Sequence, residues 1–184
     1  MKAPIVALLA FLLVVSSSHK AFADDDEPAE GQLAPNFKIT QLDGTEFQLS
    51  DFRGKQSVYL VFWNTWCTYC MKKIPKLKAA QEALVDDIRI IAINTGLKDS
   101  VEKTLKFQQQ WQVNYPLAFD HGKQITDLYG VWGTPTEFII DINGVIRHRD
   151  GIPGKLEDHL AEWNLKTSNE IADKSLCDEA QKRC

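Results

Sequence analysis

The chain has 184 residues, with 21 basic and 25 acidic side chains for a net charge of −4, and it carries only four cysteines and four histidines. That balance gives no basic surface for nucleic acid or anionic lipid, and the length suits one domain after any leader is removed.

Lys2 is followed by an apolar run from Pro4 to Val15 and then by Ala21-Phe22-Ala23. A charged start, a short hydrophobic stretch and a small-x-small site read as a secretory signal spanning 1–23, cut before Asp24. The run falls short of the roughly 20 apolar residues a membrane span needs, so an uncleaved anchor is the less favoured reading. Without Lys2 and Lys20, 19 basic residues face 25 acidic ones, a net −6. Export, to the periplasm, would put all four cysteines in a disulfide-permissive compartment. Residues 24–32 (Asp-Asp-Asp-Glu-Pro-Ala-Glu-Gly-Gln) form an acidic segment without periodicity, expected to be a flexible, solvated leader.

Beyond it, Phe37–Thr40 and Glu46–Leu49 alternate apolar and polar around Asp43-Gly44, a hairpin signal. Val58–Trp63 is continuously apolar and β-favouring, as in a central strand covered on both faces. The helix expected after Cys67 has apolar positions at Ile74, Leu77, Ala80 and Leu84, with Pro75 inside it threatening a kink. Ile88–Asn94 reads as a second buried strand, and Ser100 as the cap of a helix running to about Gln112. A short strand at Leu117–Phe119 and a short helix at Gln124–Tyr129 follow. Then come a strand at Glu137–Asp141, a turn at Asn143-Gly144, a return strand at Val145–His148, and a helix with Leu156, Leu160 and Trp163 on one face. This order predicts an α/β fold: a mixed central sheet, helices on both faces, and an added N-terminal hairpin.

The chemistry centres on Trp66-Cys67-Thr68-Tyr69-Cys70, between the apolar strand and the helix. Backbone N–H groups at a helix N-terminus are unpaired and partly positive, so a thiolate there is stabilised, and cysteines three apart can close a disulfide across the first turn. The competing reading, half of a zinc site, needs two further ligands, and no second Cys or His pair lies at finger spacing. His121, His148 and His159 are scattered, so no metal or other cofactor is expected.

With these elements in order, the chain resembles the thioredoxin superfamily, and within it the exported TlpA/ResA-like branch that includes the cytochrome c maturation reductants. The resemblance covers about residues 31–165. It rests on Ala34-Pro35-Asn36-Phe37, Asp43-Gly44, Leu49-Ser50-Asp51, Phe62-Trp63, Trp66-Cys67-x-x-Cys70, Pro75, and Gly133-Thr134-Pro135-Thr136 followed by Phe138-Ile139-Ile140-Asp141. It implies a three-layer thioredoxin-like domain over 33–165 and a thiol-disulfide oxidoreductase. Cys67 would be the nucleophile, the more exposed of the two, and Cys70 the buried resolving thiol. Pro135 would be a cis-proline opposite them, presenting Thr134 to a partner chain, with Trp66 and Trp132 flanking the site. Its substrates would be cysteine-containing exported proteins, apocytochrome c among the candidates, recharged by a membrane thiol electron donor. An oxidant or isomerase is the alternative, and a non-catalytic chaperone or binding module a further one; the peroxidatic cysteine pattern is not seen.

Two departures stand out. Family members often carry a carboxylate three residues after the second cysteine, where this chain has Lys73, and thioredoxin has a buried Asp where this chain has Val61. Lys73 either lowers the thiolate pKa and makes the disulfide more oxidising, or reaches to solvent and does little. Glu137, two residues after Pro135, either supplies some of the missing acid near the site or, the reading favoured by strand alternation, is solvated. Trp63, Trp111 and Trp163 are expected in the core.

The extension 166–184 lies outside the resemblance and holds Cys177 and Cys184. Seven residues of straight helix span roughly 10 Å, whereas a disulfide needs Cα atoms within about 7 Å. A structural staple there requires a bend; exchange with the Cys67–Cys70 pair or intermolecular bonding are the other readings.

Overall fold

The two continuous apolar runs become the centre of the sheet, because strands buried on both faces have no polar side to show. The computed structural model describes residues 27–151 and 153–164; the signal segment, Cys177 and Cys184 lie outside them. Strand β3 (Ser57–Trp63) pairs in parallel with β4 (Ile88–Asn94), and both are buried almost throughout. Beyond β4 lies β5 (Leu117–Phe119), also parallel; on the other side β6 (Thr136–Ile140) and β7 (Ile146–Arg149) run antiparallel, giving the order β5-β4-β3-β6-β7. A separate hairpin of β1 (Lys38–Thr40) and β2 (Glu46–Gln48) turns through Asp43-Gly44. Asp43 accepts from the backbone N–H and hydroxyl of Thr45, and Gly44 takes φ +87°.

Alternation along β3 sorts the core. Tyr59, Val61 and Trp63 face helix α1 (Thr68–Ala83), Phe107 of α2 (Val101–Trp111) and the helical residues 156–164 (α4). Val58, Leu60 and Phe62 face the hairpin and α3 (Gln124–Leu128), where Phe37, Phe47, Tyr129 and Phe138 pack ring against ring. The mixed sheet with helices on both faces and an N-terminal hairpin is the architecture expected from the sequence.

Helix α1 begins at Cys67, whose Sγ takes the cap position, and buries Cys70, Ile74 and Leu77 at spacings of four and three. It runs on through Pro75, which leaves the Met71 carbonyl without its usual helical donor. Ser100 caps α2 by accepting from the Lys103 N–H, as expected, and Gln112 ends it in the left-handed conformation. Trp111 departs from expectation: at the end of α2 it is exposed, with one face stacked on Phe107.

The acidic segment also departs from its reading as a solvated leader. From Glu27 onward it is docked on β7. Gly31 donates to the Ile146 carbonyl, Glu30 accepts from the Arg149 N–H, and the Glu27 carboxylate meets the Arg149 guanidinium at 2.5 Å. The open edge of β7 and the Arg149 charge supply what a free acidic tail would have sought in water.

Candidate active site

In open α/β sheets, sites form beyond the carboxyl ends of the parallel strands, where loops diverge. Three elements meet there: the exit from β3 carrying Asn64–Cys70, the exit from β4 carrying Asn94–Asp99, and the loop before β6 carrying Trp132–Pro135.

Cys67 and Cys70 are joined by a disulfide with Cα atoms 5.2 Å apart. The Cys70 backbone N–H points at Cys67 Sγ at 3.1 Å, so this sulfur sits in the field of the α1 N-terminus. That arrangement favours a thiolate at Cys67 once the disulfide opens. The Thr134–Pro135 peptide bond is cis, and the Thr134 carbonyl oxygen lies 3.3 Å from Cys67 Sγ. This close cover explains a difference from expectation: Cys67 is no more exposed than Cys70, at 4% against 6%.

A buried polar network ties these segments together, and sequence reasoning did not single it out. Asn64 donates to Asn94 at 3.2 Å and accepts from the hydroxyls of Thr95 at 2.9 Å and Thr134 at 3.4 Å. Asn94 donates in turn to Thr104 and to Asp99. Asp99 accepts the Thr65 backbone N–H at 2.7 Å and its hydroxyl at 2.9 Å. Partial burial pushes the Asp99 carboxyl upward. The hydrogen bonds from Asn94, Thr65 and Ser100 outweigh that push and hold it below the usual range. The available signal was an asparagine at the end of each of the two most apolar strands.

Around this frame the surface is aromatic. Trp132 is 91% exposed; Tyr69 and Trp66 are exposed too, with the Trp66 indole N–H donating to the Leu97 carbonyl. Trp66, Leu97, Trp132 and Thr134 line a shallow groove of about 140 Å³. Lys72 lies over the Tyr69 ring, 5.0 Å from its centre.

Beneath the disulfide, the expectation for Glu137 is overturned. It is 2% exposed rather than solvated; Glu137 Oε2 lies 2.8 Å from Lys73 Nζ, and Oε1 accepts from the Tyr59 hydroxyl at 2.9 Å. β6 is buried throughout, so alternation between core and solvent does not apply to it; the charge is tolerated because two donors meet it. Glu137 is the cross-strand neighbour of Val61, the position without the expected acid. Burial first, then the Glu137 charge and hydrogen bond, push the Tyr59 phenol well above its ordinary value, so Tyr59 remains a donor. Lys73 therefore neither acts as an isolated cation nor simply extends into water. Among the described residues, no three His, Cys, Asp or Glu side chains cluster as a metal site would need.

Comparisons with known proteins agree with this geometry. The model of the AhpC/TSA family matches residues 31–149. The thiol-disulfide oxidoreductase ResA of Bacillus cereus is 36% identical over 143 residues, covering 76% of this chain and 81% of that protein. ResA of Bacillus subtilis is 32% identical over 143 residues, covering 77% and 78%. Among solved structures, a Chlorobium tepidum protein assigned as a thiol:disulfide interchange protein DsbE superposes with a TM-score of 0.62 at 30% identity, covering 76% of this chain and 97% of that one. The thioredoxin domain of a Bacteroides vulgatus thiol-disulfide oxidoreductase gives 0.63 at 24% identity, covering 73% and 96%, a likeness of fold.

Proposed function

The chain belongs to the AhpC/TSA family and is a thiol-disulfide oxidoreductase, and we propose that Cys67 and Cys70 carry the exchange, as a reductant of disulfides in exported proteins. The observation that carries this reading is the Cys67–Cys70 disulfide at the mouth of α1, facing the Thr134 carbonyl across the cis peptide bond.

In the reduced protein the Cys67 thiolate attacks one sulfur of a partner disulfide. The partner's S–S bond breaks, one partner sulfur leaves as a thiolate that takes up a proton, and a mixed disulfide forms. Cys70 then gives up its proton and attacks Cys67 Sγ, closing the intramolecular disulfide and releasing the second partner thiol. Two electrons pass from the cysteine pair to the partner. A thiol donor must return them, and a membrane protein facing the export compartment fits that need. The Thr134 backbone and the Trp66 and Trp132 rings would dock the partner segment bearing the reactive disulfide.

The reducing direction is supported by the pairing of Lys73 with Glu137, since a compensated cation gives little of the thiolate stabilisation that makes a strong oxidant. The same Lys73, partly exposed, keeps an oxidant or isomerase as the second reading. Residues 1–23 read as the export signal, and no helix among the described residues is long and apolar enough to cross a membrane. Apocytochrome c is a substrate to test, because it presents two cysteines that must be reduced before haem attachment.

Insulin reduction by the wild type and by Cys67→Ala tests the site: a binding module would show no difference between them. The reduction potential tests direction, a value near about −270 mV marking a reductant and one near about −120 mV an oxidant.

A further inference from the structure

The Lys73–Glu137 pair is built more closely than a chance surface contact. Cys70 and Lys73 are one helical turn apart on α1, and both line a cavity of about 10 Å³ with Trp63, Tyr115 and Pro135. The Glu137 carboxylate stands behind Lys73, fixed by Tyr59 on one oxygen and by the ammonium on the other. Gly151, at φ +137°, closes over both: a Cβ there would lie 3.6 Å from Lys73 Nζ and 3.7 Å from Glu137 Oε2. The Asp150 N–H donates to the Glu137 carbonyl, so the turn after β7 is laced to the same residue.

We propose that Glu137 sets the redox poise of the site by cancelling the Lys73 charge beside Cys70, a carboxylate supplied from β6 in place of the two that the chain lacks. It is a positioning residue, acting on the thiols through Lys73. This rests on the reading of Cys70 as the resolving thiol. The titratable groups that bond Glu137 are Tyr59 of β3 and Lys73 of α1, and Cys70 and Tyr115, the latter before β5, line the cavity that Lys73 also lines. On β7, His148 is engaged by Glu30, and Arg149 by Glu27. Burial pushes the Tyr115 phenol upward, and Tyr59 is pushed up as described, so both stay neutral across the working range. Among these groups, the ion pair of Lys73 with Glu137 is the one whose member shares the cavity with Cys70.

The signs follow from electrostatics. Without Glu137, an uncompensated Lys73 ammonium stabilises the Cys70 thiolate and with it the reduced state. Without Lys73, an uncompensated carboxylate does the opposite.

The test is the absorbance of the Cys70 thiolate against pH in a background with Cys67, Cys177 and Cys184 all replaced by Ser. Glu137→Gln should lower the midpoint by about one unit, a tenfold change in thiolate fraction. Lys73→Gln should raise it, and the double variant should return close to the parent. With Cys67 restored, Glu137→Gln should favour the reduced form of the Cys67–Cys70 pair against glutathione about tenfold above the thiol midpoint, or roughly 30 mV. If Lys73→Gln does not fold, because it strands the buried carboxylate, Glu137→Gln decides alone, since the ammonium it leaves is carried on a side chain 31% exposed. Midpoints within about 0.3 unit of the parent, or a fall in thermal stability with an unmoved titration, would overturn the proposal. Loss of the functional reading would appear elsewhere, as insulin reduction surviving Cys67→Ala.

Discussion

Replacing Asp99 with Ala tests whether the buried network, rather than the disulfide, fixes the strand exit that carries the site. The carboxylate accepts four hydrogen bonds: Thr65 N–H at 2.7 Å, Thr65 hydroxyl at 2.9 Å, Asn94 amide at 2.8 Å and Ser100 N–H at 3.1 Å. Bonds to a charged group contribute about 1.5–3 kcal/mol each when fully buried. Asp99 is only partly buried, and water can replace some of its partners, so the expected loss is about 2–3 kcal/mol in all. For a domain of this size that is a fall of roughly 4–12 °C in Tm. Calorimetry of the oxidised protein at pH 7 measures it. The carboxyl titrates below its ordinary 3.8, so its contribution is present above that value and is lost as pH falls through the lower folded value. Asp99→Asn should therefore flatten the stability profile below about pH 4 relative to wild type. A loss under about 0.5 kcal/mol in Asp99→Ala, or an unchanged acid limb in Asp99→Asn, would refute the assignment of this network as a structural tie.

Two further outcomes are expected. Trp132→Ala should leave stability within about 0.5 kcal/mol, because the ring is almost wholly exposed, yet raise KM for a protein disulfide about tenfold or more, as loss of an aromatic anchor does; chemical unfolding and insulin kinetics separate the two effects. Gly151→Ala should cost about 1–3 kcal/mol through its φ of +137° rather than through crowding, since the nearest atoms are at ordinary contact distance; urea unfolding reads it directly.

The central sheet was legible because Val58–Trp63 and Ile88–Asn94 have no polar face, as a strand covered on both sides requires. The Ser100 cap and the two glycine turns were legible for local reasons, since their signals lie within a few residues. Glu137 was not. Its partners are 64 and 78 residues away in sequence, and a pattern of apolar alternation assigns any isolated charge to solvent. A fully buried β6 flanking Val61 was the missing fact. The exposure of Cys67 was misjudged for a related reason: the Thr134 carbonyl that covers it arrives from 67 residues away. The docking of Glu27 and Glu30 escaped because composition describes a segment's affinity for water, and says nothing of a strand edge that lacks a partner.

Both flanks of the sheet are occupied. Gln41 and Leu42 pair with β5 through Ala118 and Leu117, and residues 31–34 pair with the hairpin of β7 at Gly144 and Ile146. An open flank is a template for lateral growth, in which copies of a protein add strands to one another. A molecule that works by touching the backbones of other chains runs this risk at every encounter. Here the backbone beside the Cys67–Cys70 disulfide is the short Thr134 segment, and both sheet flanks are paired within the chain. On the function proposed above, a partner chain held at Thr134 for the lifetime of a mixed disulfide would meet a sheet whose two flanks are already paired within the same molecule.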